Sequence, residues 1–215
     1  MPRFGLACLV VLGLCPVLAP ILHAQKESGG IKLYDACQKS PWFKDKSKVR
    51  LHLIGHSAGS ILHSHLIDRL VAQGWTFDSV NFMAPAVRVD TFTDKVVPAI
   101  KDGRVKRYHQ FHLNDAAEQK DPSCKPILGY SRSLLYLVSQ SFEQGKASQS
   151  FEQNKATPIL GMEKYFDAKL QALPNVRTWA APCNESQSVE HGGFDDDKAT
   201  RESVVALIKR KAVGR

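Results

Sequence analysis

The run Gly55-His56-Ser57-Ala58-Gly59 sets a serine between two small-residue flanks, with a glycine two positions to either side. A serine hydroxyl attacks an acyl carbon only when a base takes its proton and the backbone turns sharply enough to present Oγ. Small neighbours serve that turn, because a strand running straight into a helix crowds the two backbones around the serine. The pattern predicts nucleophilic acyl transfer from Ser57. The Ala58 backbone N–H, at the start of the helix, would then donate to the oxyanion.

Such a serine needs a histidine base, and an acid to hold that histidine in the right tautomer. Among eight histidines, His191 is the choice, in Val189-Glu190-His191-Gly192-Gly193-Phe194, where glycines leave room for the ring. His63, His65, His109 and His112 fall inside regular elements and read as surface or core residues. His52 alternates with Leu51 and Leu53 along a strand, and His56, the variable residue of the motif, is expected to line the site. For the acid, Asp115 is preferred over Asp121, because a residue next to a strand end is best held. A short turn over Ala116 to Lys120 would present Asp121 instead. Glu118 and Asp195 read as a solvated charge or a helix cap.

These side chains need a frame. Val49 to Ile54 alternates and is rich in strand formers, and Ile61, Leu62, His65, Leu66, Ile67, Leu70 and Val71 then recur at helical spacing as far as Gly74. Val80 to Met83 reads as a short buried strand, Thr91 to Lys101 as a helix capped by Asp90, and Val105 to Leu113 as a third strand. A polar segment, Asn114 to Pro122, follows. Leu134, Leu135, Leu137, Val138 and Phe142 then mark an amphipathic helix, and Val176 to Ala180 a fourth strand. An acidic start at Asp195 to Asp197 opens the last helix, whose buried stripe is Val204, Val205 and Ile208. Alternating strands and helices predict an α/β class with a parallel sheet and helices on both faces.

Residues 49 to 212 resemble the C-terminal half of an α/β-hydrolase of the esterase and lipase kind. The likeness is carried by Leu51-His52-Leu53-Ile54-Gly55-His56-Ser57-Ala58-Gly59, by Val80-Asn81-Phe82-Met83-Ala84-Pro85-Ala86, by Asn114 to Asp121, and by His191-Gly192-Gly193-Phe194. The resemblance makes these the nucleophile strand, the next strand, the acid loop and the histidine loop. It implies a Ser57, Asp115 or Asp121, His191 triad and hydrolysis through a serine ester, with a small-molecule ester or lipid as substrate and no cofactor. In that family roughly half the sheet precedes the nucleophile. The stretch from Gln25 to His56 holds a single helix-like or irregular segment, Ile31 to Trp42, and no room for repeated strand-and-helix units of about 30 residues each. The sheet is therefore expected to lack its first strands and the loop that supplies the second oxyanion donor. Its nucleophile strand would be a bare edge, covered in a homodimer or by a partner chain. The chain is expected to be a truncated or misassigned product of a complete hydrolase, its activity impaired by the truncation; the alternative is an inactive remnant of the fold, or a secreted or membrane-tethered module that binds through that edge.

The 215 residues, 43% of them hydrophobic and 23% charged, suit one globular domain and exclude a disordered or fibrous chain. Residues 1–24 read as a secretory signal, with an apolar run from Phe4 to Leu22 and a small-residue end at Ala24. Pro16 and Pro20 interrupt that run, and the competing readings are a membrane anchor and a misassigned start codon. The expected location is secreted, periplasmic or membrane-anchored if the segment is genuine, and cytoplasmic otherwise. Residues 25–215 form the partial hydrolase-like domain. Lys and Arg total 29 against 21 Asp and Glu, but the only dense basic group is Lys209, Arg210, Lys211 and Arg215, so nucleic acid is not an expected partner. Cys37, Cys124 and Cys183 match no zinc or redox spacing, and no metal or nucleotide motif occurs. Ser139 to Ala147 and Ser148 to Ala156 are a tandem duplication differing only at Gly145 and Asn154, read as an exposed insertion.

Overall fold

A computed structural model of the chain describes residues 36–124, 132–142 and 156–210. The leader-like segment 1–24 and positions 143–155 of the duplication lie outside the described residues. The alternating run after Val49 forms strand β1 (His52–His56), and the helical spacing beyond it forms α1 (Gly59–Ala72). α1 stops where Gly74 takes φ 83°, a left-handed conformation that a glycine adopts without steric cost, and its N–H bonds the Val71 carbonyl. β2 (Ser79–Met83) is buried at every position. The single helix expected over Thr91 to Lys101 is two, α2 (Val89–Lys95) and α3 (Val97–Lys101). Pro98, in the first turn of α3, has no N–H to continue the earlier ladder.

β3 (Tyr108–Leu113) is followed by α4 (Asp115–Lys120), in place of the polar segment expected there. Asn114 caps it, its side chain accepting the Ala117 N–H at 2.9 Å. α5 (Leu134–Leu137) continues as a π-helix over Val138–Phe142. α6 (Ala168–Gln171) leads to β4 (Val176–Ala181), and α7 (Lys198–Lys209) closes the described chain. Asp197 caps α7 through the Thr200 N–H at 2.9 Å.

The four strands pair in the order β1-β2-β3-β4, all parallel. Crossovers between parallel strands are right-handed, so a sheet that grows in one direction keeps its connecting helices on one face. Accordingly Ile67 and Leu70 of α1, Phe92 of α2, Ile100 of α3 and Leu170 of α6 share one core with Leu53, Val80, Phe82 and Tyr108. α7 has no later strand to reach and covers the other face, where Val204 and Leu207 pack with Met83, Phe111 and Leu113. The α/β class with helices on both faces is thus the observed architecture. β1 pairs with β2 alone, and its outer edge meets no strand among the described residues. Cys37 and Cys183 are free thiols, and no described helix is long and apolar enough to cross a membrane.

Candidate active site

β1 delivers the chain into Ser57 at φ 50°, a left-handed conformation for a residue with a side chain. Such a backbone costs on the order of 1–3 kcal/mol and persists only where its surroundings over-determine it. Here they do. The Ser57 N–H donates to the Met83 carbonyl at 2.9 Å, and the Ser57 carbonyl accepts from Ser60 N–H at 3.0 Å and Ala86 N–H at 3.1 Å. It also accepts the Ser60 hydroxyl at 2.7 Å. The strand-to-helix turn and the end of the neighbouring strand thus hold the serine together. Ala58 follows as the exposed N-cap of α1, in the first turn, where backbone N–H groups have no acceptor within the helix.

Crowding explains one of the two motif glycines. A Cβ on Gly55 would lie 3.0 Å from His63 Nδ1, 3.1 Å from the Gly59 carbonyl carbon and 3.2 Å from Ser60 N, whereas a Cβ on Gly59 would meet nothing within 4 Å. Gly55→Ala is therefore expected to cost about 1–3 kcal/mol by overpacking. Gly59→Ala should be neutral or stabilising by up to about 1 kcal/mol, since alanine loses less backbone entropy in a helix. Urea denaturation midpoints of the two variants check the contrast.

His191 opens a short turn, His191–Gly193, and is 3% exposed. Its Nε2 stands 2.8 Å from Ser57 Oγ, the geometry in which the hydroxyl donates to an unprotonated nitrogen. Its main chain is held on both sides: the N–H donates to Asp121 Oδ2 at 2.9 Å, and the carbonyl lies 2.8 Å from His56 Nε2. Nδ1 is buried without a partner. Burial, assisted by the nearby His56 and opposed by Asp121 and Asp195, lowers the His191 pKa to about 4. The ring is therefore neutral at physiological pH and able to accept a proton. Any rate that uses it should be flat above about pH 5 and fall with a midpoint of about 4, checked by a pH profile of ester cleavage.

The ranking of the acids reverses. Asp115, preferred for its place beside a strand end, is partly exposed, and its carboxylate bonds groups other than His191. Its carboxylate accepts from Tyr136 Oη at 2.6 Å and from Gln119 Nε2 at 2.6 Å, and the Tyr136 bond holds its pKa down. Asp121 is fully buried, with Oδ1 accepting the Ser123 N–H at 2.8 Å and its hydroxyl at 2.6 Å, and Oδ2 on the His191 N–H. The cause is α4: Asp115 begins this helix and Asp121 ends it, so one carboxylate stays at the strand end while the other is carried to the histidine loop.

Glu118, read as a solvated charge or cap, is buried beneath Ser133, whose hydroxyl bonds it, and burial pushes its pKa up to about 8. Asp195 is not the helix cap; Asp197 is, and Asp195 Oδ2 lies 3.9 Å from His56 Nδ1. His56 does more than line the site, since it bonds the backbone of the candidate base. No local sequence signal separates that role from a lining one. Elsewhere, His52 bonds Ser79 and His109 bonds Asn81 within the sheet, and His63 is buried without a hydrogen-bond partner, burial lowering its pKa to about 4. Among the described residues no group of three or more His, Cys, Asp or Glu could hold a metal ion. Comparison with known proteins found no family model, no curated protein and no solved structure that matches the chain.

Proposed function

We propose that this chain is a serine hydrolase of the esterase or lipase kind, acting through Ser57, His191 and Asp121. The observation that carries the reading is the 2.8 Å contact between Ser57 Oγ and His191 Nε2 at a strained strand-to-helix turn. His191 Nε2 takes the hydroxyl proton as Oγ bonds to the carbonyl carbon of an ester, and the electron pair of the C=O bond moves onto its oxygen. The Ala58 N–H meets that oxyanion. When the tetrahedral species collapses, the bond to the alkoxide breaks, His191 returns its proton to the leaving oxygen, and an acyl ester of Ser57 remains. Water, deprotonated by the same nitrogen, releases the acid. Asp121 holds the base through its backbone and places a negative charge beside the imidazolium. The reaction requires no cofactor. The substrate class is a small-molecule ester or lipid, and the secreted or membrane-tethered location belongs to this same proposal.

A fluorophosphonate probe is expected to attach to Ser57, read by mass spectrometry of the peptide that contains it. A folded chain that takes no label would overturn the reading. Asp121→Ala, which removes the acceptor of the His191 backbone N–H, is expected to lower ester turnover by about 10- to 100-fold, and Asp115→Ala by less than about threefold. Equal losses in the two variants would remove Asp121 from the assignment.

A second reading rests on β1. Among the described residues its outer edge is unpaired, and the strand carries neither lysine nor proline nor a bulge, the usual protections of an edge. A binding module that adds a partner's strand there would fold stably and be indifferent to loss of Ser57.

A further inference from the structure

The catalytic reading asks the base to stay on the serine, yet the loop that carries His191 continues into Gly192 and Gly193, and a Cβ on Gly192 would meet nothing within 4 Å. Gly193 and buried Phe194 anchor the far end of the turn, but the exposed Gly192 that follows the His191 carbonyl packs against nothing, and a glycine has the most backbone freedom of any residue. At the His191 carbonyl itself the side-chain restraint comes from β1. A carbonyl only accepts, so the 2.8 Å contact between His56 and the His191 carbonyl requires the proton on His56 Nε2. His56 and Ser57 are consecutive, and each bonds the same partner residue, His56 at its carbonyl and Ser57 at Nε2 of its ring. These contacts close a small ring that forbids the nucleophile and the base from sliding apart without breaking one of them. Asp121 pins the other peptide of His191, through its N–H.

We propose that His56 is a positioning residue for the base, and that the clamp formed by His56 and Asp121 on the two peptides of His191 keeps Nε2 against Ser57 Oγ. The proposal rests on the hydrolase reading above. His56 does not touch the reacting atoms. Its ring stands 5.6 Å from that of His191 and 6.4 Å from that of Phe194, and its other nitrogen faces Asp195 Oδ2 at 3.9 Å. Asp195 is half exposed and stands beyond hydrogen-bond distance, so the carbonyl contact is the one that fixes geometry.

The two side-chain amides separate the roles of the ring nitrogens. Glutamine reaches where Nε2 lies and can donate to the His191 carbonyl; asparagine reaches only where Nδ1 lies and cannot. Displacing a reacting group by about 1 Å costs on the order of 10²-fold. The second-order rate of fluorophosphonate labelling should therefore fall about 10- to 100-fold in His56→Asn and recover to within about fivefold of the parent in His56→Gln. Amide hydrogen exchange over residues 188–194, which needs no turnover, should quicken about tenfold in His56→Asn and stay near the parent rate in His56→Gln. If His56→Asn does not fold, as judged by circular dichroism, His56→Phe takes its place, since it keeps the ring volume and lacks the donor. Parent-like labelling and exchange in the variant without the donor would overturn the proposal while leaving the hydrolase reading intact, as would a glutamine variant as slow as the asparagine one. A folded parent chain that takes no label would overturn both.

Discussion

Ser57→Ala is expected to lower hydrolysis of an activated ester such as p-nitrophenyl acetate by about 10⁶-fold, the loss seen when the nucleophile of a well-studied serine protease is removed. Among the described residues, Ser57 Oγ is the hydroxyl that bonds His191 Nε2. The Ala58 N–H would remain and could still polarise a bound ester, so a residue of about 10³–10⁴ over water is the floor, not zero. The fold should be untouched, because the bonds that hold position 57 in its turn run through its N–H and carbonyl, to Met83, Ser60 and Ala86, and not through Oγ. Initial rates and circular dichroism of the purified variant check both halves. A variant that keeps its turnover would place the chemistry elsewhere, and one that unfolds would mean that the hydroxyl has a structural role which its backbone contacts do not reveal.

His191→Ala should cost about as much, and Ser57→Ala combined with His191→Ala no more than either alone, because a nucleophile without its base and a base without its nucleophile are equally idle. Summed losses in the double variant would show that the two act independently. The pH profile supplies a separate signature. In the parent chain the acid limb is expected to follow the buried His191 imidazole, whose pKa burial lowers to about 4. Once the ring is gone that inflection should vanish, leaving a residual rate that rises with hydroxide. Removing a buried side chain also leaves a cavity, with a stability loss of about 2–4 kcal/mol, so rates should be taken well below the melting transition. His191→Gln, which fills more of the space, is the companion that separates lost chemistry from lost packing.

The parts of this protein that were legible in its sequence are those set by neighbours a few residues apart. The alternation around Leu51 and Leu53, the helical spacing from Ile61 to Val71 and the repeated change from one period to the other imply β1, α1 and a parallel α/β sheet. Each element buries its own apolar face whatever lies opposite. The same locality made Ser57 and His191 visible: a serine among small residues at a strand end, and a histidine beside glycines before the last helix. Locality failed where an element was short or polar. Asp115 to Lys120 contains no apolar stripe, so the sequence leaves open whether a short turn over Ala116 to Lys120 presents Asp121; the helix that forms there decides which carboxylate reaches His191. Glu118 looked solvated because nothing in its neighbours reveals that Ser133 covers it.

Sequence alone determined, then, the class of sheet and the chemical types that the strand ends could present. Tertiary structure alone decided which of those groups meet. The contact of Ser57 with His191, of His191 with Asp121 and of His56 with the His191 carbonyl each join residues 70 or more positions apart. Such pairings arise when separate elements settle on a common sheet, and the free energy that selects them comes from burying the whole core and not from any property of the paired residues.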